Sequence, residues 1–219
     1  MTISLSDAGK RYNRDWIFRH LTYNFEAGKS YAIIGPNGSG KSTLLQATGG
    51  ALHLNEGSIQ FAVRSSLPID IGTAVNTPII PIAAENLYNY VSICAPYLEV
   101  VEEMTVKEFL EFHSQFKPLI ASVSIDEIIS IVGLEKAVNK QIRYYSSGMK
   151  QRVKLAQCIF SDVPVLLLDE PCTNLDAAGI ELYNQLVSEY CKKRMVIVSS
   201  NDHHEYVFCS EKLNIMNWK

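Results

Sequence analysis

The sequence predicts an α/β protein built on a parallel sheet, with a helical unit inserted into it. Three observations carry this expectation. A strand-like run, Ser30–Ile34, is stopped by Gly35 and Pro36 and followed by a helix-compatible stretch, Lys41–Thr48. Residues 165–168 and Met195–Ser199 are apolar without alternation, the pattern of strands covered on both faces. Between these landmarks, two segments open with helix caps and carry few strand signals. Strands alternating with helices favour a parallel sheet.

Taken in order, residues 2–5 and 21–25 read as short strands, the second with alternating apolar positions. Residues 57–62 read as another. The stretch 63–87 carries Pro68, Pro78 and Pro81 among turn residues and gives little placeable structure. A strand over 90–94 ends near Pro96. Thr105 followed by Glu108 forms a capping box, in which the threonine oxygen accepts from the glutamate N–H and the glutamate reaches back. It opens a helix with Phe109, Phe112 and Phe116 on one side, broken by Pro118. Ser124 and Glu127 repeat the device, and Gly133 suits the end of that helix. A further helix runs from Ser146 to about Phe160. Asp176 caps another, with Ile180, Tyr183, Leu186, Val187 and Tyr190 at helical spacing. Residues 212–216 read as a last strand.

The chain has 219 residues, near the upper end of single-domain sizes. A chain of that length buries roughly 70% of the surface its unfolded form exposes, enough for a core without staples. Five scattered cysteines without a C-x-x-C pair read as reduced, small hydrophobes. The net charge of −3 argues against a basic, nucleic-acid-binding surface. No basic and apolar leader opens the sequence, and no apolar run approaches the ~20 residues that span a bilayer. A membrane connection is therefore expected to come through another protein.

Gly35, Pro36, Asn37, Gly38, Ser39, Gly40, Lys41 and Ser42 satisfy G-x-x-x-x-G-K-[ST] between a strand and a helix. Glycines let backbone N–H groups turn inward around a polyphosphate, and the following helix points its positive end at the same anion. Lys41 is expected to serve the β- and γ-phosphates, Ser42 to ligate Mg²⁺, and Thr43 to reach the α-phosphate. Asp169 and Glu170 close a buried strand. Beside a phosphate loop, the first suits Mg²⁺ through water, because a hard cation takes oxygen ligands. The second suits activation of the attacking water.

The segment Tyr145-Ser146-Ser147-Gly148-Met149-Lys150-Gln151-Arg152 resembles the signature of ATP-binding cassette (ABC) proteins, usually Leu-Ser-Gly-Gly-Gln ahead of a basic helix. It precedes the Asp169–Glu170 strand in the order the family shows. Asn174-Leu175-Asp176 resembles the family's D-loop, and Tyr12 the aromatic that stacks on adenine, with Trp16 as a rival. The resemblance implies a P-loop NTPase with a RecA-like parallel sheet core, an N-terminal antiparallel β subdomain and an inserted α-helical subdomain. It implies one domain over 1–219, with 1–88 and 151–219 forming the nucleotide-binding core and 89–150 the helical part. It further implies a head-to-tail homodimer with ATP and Mg²⁺ between the subunits. Ser146, Ser147, Gly148 and Asp176 would then reach nucleotide across the interface.

Three departures from the family pattern stand out. The signature carries Ser147 for a glycine and Met149 for the glutamine. No glutamine lies between Gln60 and Gln115, where the family places one that touches Mg²⁺ and water; the equivalent position falls near Ala95 to Tyr97, with Glu99 or a water as substitutes. Asn201 stands where the family has its switch histidine; it donates a hydrogen bond but carries no charge. His203 and His204 lie just beyond.

The resemblance as a whole implies the ATPase subunit of an ABC transporter, acting in export, beneath integral membrane permease subunits at the cytoplasmic face of the inner membrane. Nucleic acid is not expected as a partner. Two other functions stay open: an ATP-sensing module with little hydrolysis, and an ABC ATPase not tied to transport.

Overall fold

A computed structural model of the protein describes residues 1–64 and 79–219. The turn-rich reading of 65–78 lies outside the described residues. Two sheets organise the chain. An antiparallel sheet holds β1 (Thr2–Tyr12), β2 (Asp15–Glu26), β4 (Glu56–Arg64) and β5 (Ile79–Pro81) in the order β2-β1-β4-β5. A parallel sheet holds β3 (Ser30–Ile34), β6 (Val91–Cys94), β7 (Val165–Asp169), β8 (Met195–Ser199) and β9 (Glu211–Asn214) in the order β6-β7-β8-β3-β9. The helices are α1 (Lys41–Thr48), α2 (Val106–Phe116), α3 (Ile125–Ile131), α4 (Ser147–Ile159) and α5 (Ala177–Tyr190).

The parallel sheet is buried on both faces, which explains its unbroken apolar runs. Along β7, Val165 and Leu167 pack with Tyr31, Ile33, Leu44 and Phe25 beneath α1 and the antiparallel sheet. Leu166 and Leu168 face the other way, into a core with Leu110, Ile129, Val153 and Tyr183 from the helices. Period-two alternation thus joins two hydrophobic cores through one strand.

Both expected capping boxes form. Glu108 N donates to Thr105 Oγ1 at 3.3 Å, and Thr105 N donates to Glu108 Oε2 at 2.8 Å. Ser124 and Glu127 repeat these contacts at 3.3 and 2.8 Å. The backbone N–H groups of Thr105 and Ser124 hold the two glutamates below the usual carboxylate range. A depressed carboxylate contributes stability above its unfolded pKa and loses it as pH falls through the folded one, so both boxes are intact at neutral pH. Thr105→Ala is expected to cost about 1 kcal/mol. In a thermal melt this reads as a drop of roughly 2–4 °C for a chain of this size.

The structure corrects several boundaries. β1 and β2 are far longer than 2–5 and 21–25, forming a hairpin whose register shifts between Leu5 and Ala8 and again toward Arg11. Asp7 and His20 take φ of 49° and 56° in these strands, and Asn13 takes 54° at the turn. Such irregularities take up extra residues and break the alternation that a sequence pattern relies on. Within 79–87, β5 and a short 3₁₀ turn, Ala84–Asn89, supply structure. The final strand stops at Asn214, whose side chain accepts from Met216 N at 3.1 Å and starts a 3₁₀ turn, Ile215–Trp218. Of the three phenylalanines on α2, only Phe109 is buried; Val106, Phe109 and Leu110 form the packed stripe. Phe112 and Phe116 are 46% and 66% exposed and meet edge to face at 5.1 Å.

Two elements cross the domain limits expected from the sequence. β6 pairs with β7 in the parallel sheet, although it lies within 89–150. α4 runs without interruption through residue 150. Among the described residues, no helix is long and apolar enough to cross a membrane.

Candidate functional site

The loop between β3 and α1 is shaped by its glycines. Gly38 and Gly40 take φ of 74° and 97°, a region that side chains disfavour. A Cβ at Gly40 would stand 2.1 Å from Ile17 Cγ2, and one at Gly35 would stand 2.8 Å from Ser39 Oγ. The loop closes through Ser39 N donating to Pro36 O at 3.1 Å, while Leu44 N donates to Gly40 O at 2.9 Å as α1 begins. Lys41 is 5% exposed and its Nζ donates to Pro36 O at 3.2 Å, so the charge is folded over the loop. Ser39 Oγ is buried with no hydrogen-bond partner among the described residues. A cradle of this form, with a buried lysine, a spare hydroxyl and a helix start, fits an oxyanion.

β7 delivers two carboxylates to the same edge. Asp169 is 2% exposed and accepts from Ser42 Oγ at 3.0 Å. Burial pushes its carboxyl above the usual carboxylate value, with Ser42 and Lys41 pulling the other way. A desolvated carboxylate beside a serine hydroxyl is the donor set a hard dication stabilises, so these residues fit Mg²⁺. Glu170 is half-buried and takes φ of 41°. That left-handed conformation costs roughly 1–2 kcal/mol and persists only where the surroundings fix it. Glu170 N donates to Ser199 O at 2.9 Å, and Thr173 N donates back to Glu170 O at 3.1 Å.

Asn201, just past β8, donates from Nδ2 to Asn37 Oδ1 at 3.0 Å, bringing the end of a neighbouring strand over the loop. His203 and His204 are exposed; the ring of His203 lies 5.3 Å from Tyr206, and His204 N is capped by Asp202 at 2.9 Å. Among the described residues, neither histidine side chain bonds to the loop, and Asn201 holds that position.

Ser146 caps α4, accepting from Met149 N at 3.3 Å. Its hydroxyl hydrogen remains free to donate. Ser146 and Ser147 are exposed. Gly148 lies against the turn after β7: a Cβ there would stand 3.0 Å from Asn174 O. Asp176 caps α5 by accepting from Gly179 N at 2.8 Å and lies 3.8 Å from Arg152 of α4. Among the described residues, no hydrogen bond or ion pair joins Ser146, Ser147 or Gly148 to the loop at 35–43.

Tyr12 ends β1 and is 47% exposed, with Lys10 Nζ 5.3 Å from its ring centre. Trp16 already has two guanidinium groups near its ring, Arg11 at 5.4 Å and Arg19 at 4.5 Å from the ring centre. Tyr12 is the more exposed of the two. Near the missing glutamine, Tyr97 lies against the side chain of Gln46, one turn along α1 from Ser42. Burial raises its phenol, and the charge of Asp169 adds to the shift. Tyr97 closes the Ala95 to Tyr97 stretch that the resemblance aligns with the missing glutamine, whereas Gln46 belongs to no recognisable motif. Glu205 was likewise missed: 5% exposed, it accepts from Cys172 N at 2.7 Å.

A family model for ABC transporters matches residues 18–173. The uncharacterized ABC transporter ATP-binding protein YybJ of Bacillus subtilis (strain 168) is 28% identical over 208 residues, covering 93% of this chain and 86% of that protein. The cytochrome c biogenesis ATP-binding export protein CcmA of Agrobacterium fabrum is 28% identical over 203 residues, covering 91% and 88%. A solved ATP-binding subunit of an ABC transporter shares the fold, with a TM-score of 0.76 at 20% identity over 98% of this chain and 87% of that one. The family match spans more than half of the sequence and takes in the phosphate-loop cradle and both carboxylates, so this chain belongs to the ABC transporter family of ATP-binding proteins.

Proposed function

We propose that the chain is the ATPase subunit of an exporter, hydrolysing Mg-ATP between two copies arranged head to tail beneath integral membrane permease subunits. One observation carries the reading. Lys41, Ser42, Asp169, Glu170 and Asn201 converge on one edge of the parallel sheet, while the exposed Ser146–Gly148 turn makes no bond to them within its own chain. A second copy is the natural source of that turn. Export is supported by the relative named for cytochrome c biogenesis export. The exposed Phe112–Phe116 pair is apolar surface of the kind a partner covers.

In this reading the amides of 35–43 and Lys41 hold the β- and γ-phosphates, Thr43 serves the α-phosphate, and Tyr12 stacks on adenine. Mg²⁺, held by Ser42 and through water by Asp169, supplies charge neutralisation on the phosphate oxygens. Glu170 accepts the proton of the attacking water. Asn201 turns its Nδ2 donor from Asn37 to the γ-phosphate. The partner's Ser146 hydroxyl and its Ser147 and Gly148 amides meet the same group at a helix start, with Asp176 steadying the facing loop. Nucleotide drives closure because it favours the closed pair over the open one.

The neutral Asn201 and the absent glutamine favour a second reading, an ATP-sensing module with little turnover. One measurement separates the two. Steady-state ATPase of Glu170→Gln is expected to fall about 100-fold below wild type, with ATP retained and an ATP-dependent dimer visible in gel filtration. Equal, near-zero rates for both proteins would leave only the sensing role.

A further inference from the structure

Glu205 lies in a short 3₁₀ turn, His203–Glu205, outside every motif of the sequence. Its carboxyl is enclosed, and neighbouring elements hold both this carboxyl and the residue's main chain. Cys172 N, in the turn that follows Glu170, donates to Oε1 at 2.7 Å. The hydroxyl of Ser200, beside Asn201, lies close enough to the same carboxyl to offset part of the upward push of burial. Tyr183 of α5 donates its hydroxyl to Glu205 O at 2.8 Å. The turn is gripped on its other side by α4, where Gln151 Nε2 donates to Pro171 O at 2.7 Å.

A buried carboxyl is costly unless its lone pairs are used. Here they are used on the backbone that presents Glu170, a residue whose positive φ requires support from both ends of its turn. Glu170 N is fixed by Ser199 O, and the far end of the turn is fixed by Glu205. Both anchors lie in the segment 199–205, which carries Asn201.

We propose that Glu205 is a positioning residue, a buried acceptor that locks the turn carrying Glu170 to the segment carrying Asn201. The proposal rests on Glu170 as the group that activates water. It adds that the base and the Asn201 donor are held as one unit, so that displacement of Asn201 displaces the base. What matters is an acceptor oxygen at this reach. Glutamine supplies one, leucine supplies none, and aspartate is one methylene too short.

The test compares Glu205→Gln, Glu205→Leu and Glu205→Asp with wild type in steady-state ATPase assays and hydrogen–deuterium exchange. Glu205→Gln is expected to stay within about twofold of the wild-type kcat. Glu205→Leu and Glu205→Asp are expected to lose about tenfold or more in kcat with KM for ATP changed less than about threefold, because the 35–43 loop is untouched. Amides of residues 170–174 should exchange faster in both, and those of 35–43 should not. Should Glu205→Leu fail to fold, Glu205→Asp carries the test. A folded Leu or Asp variant with wild-type kcat overturns the proposal, as does a Gln variant as impaired as Leu. Wild-type protein that retains ATP without turning it over overturns the hydrolysis reading instead. Exchange at 170–174 then decides: faster exchange upholds the lock, and unchanged exchange ends it.

Discussion

Gly40→Ala is expected to give a protein that folds less stably and no longer retains ATP. Two costs combine at this position. An L-residue at φ of 97° is strained by roughly 1–2 kcal/mol, and the new Cβ would stand 2.1 Å from Ile17 Cγ2, a stiff β-branched methyl on the neighbouring sheet. Overpacking of that kind typically adds about 1–3 kcal/mol. For a chain of this size the sum corresponds to a melting point lower by roughly 5–15 °C. Relief of the clash requires the loop to move, and the loop amides are what hold the phosphates. Adding Ile17→Ala should recover part of the melting point, since it removes the clash, but not nucleotide retention, since the backbone strain remains. Thermal melts and equilibrium dialysis with ATP read the two effects apart. Wild-type ATP affinity in Gly40→Ala would show that the cradle does not depend on this geometry.

Asp169→Asn is expected to move stability and turnover in opposite directions. Burial lifts the Asp169 carboxyl above its unfolded value. The native state therefore binds that proton more tightly than the unfolded state does, and the ionised group costs stability at neutral pH. The cost shrinks as pH falls into the window just above the ordinary carboxylate value. Asparagine removes the charge while its Oδ1 can still accept from Ser42, so the nucleotide-free variant should melt higher at pH 7. Its advantage over wild type should narrow as pH falls into that window. Mg²⁺-dependent turnover should fall by about 1,000-fold, as expected when a metal site loses its anionic oxygen. A lower melting point in the variant would mean that the charge is already compensated in the nucleotide-free state.

Much of the fold was legible because its strongest signals are local. The limits of β3, α1 and β8 follow from a Gly-Pro stop, a glycine-rich turn and an unbroken β-branched run. The caps at Thr105, Ser124, Ser146 and Asp176 each start a helix, since a side-chain oxygen at that spacing meets an otherwise orphaned N–H. The hairpin of β1 and β2 was not legible beyond its ends. Bulges at Asp7 and His20 interrupt the alternation, and both residues pair with each other at 2.7 Å on the surface rather than in a core. For the site, the phosphate-loop and carboxylate segments could be found by spacing because backbone geometry demands it. The contact of Tyr97 with Gln46, and Glu205, could not. Their positions depend on which strands become neighbours, as when Cys94 pairs with Leu168, and no short window of sequence contains that information.

β7 has no spare face. Val165 and Leu167 of β7 belong to one core and Leu166 and Leu168 to the other, so Asp169 and Glu170 stand at the tip of a segment anchored from above and below. A slide along that strand would disturb both interiors at once. Loops that touch a single interior can swing; the strand is the fixed datum against which their swing is measured.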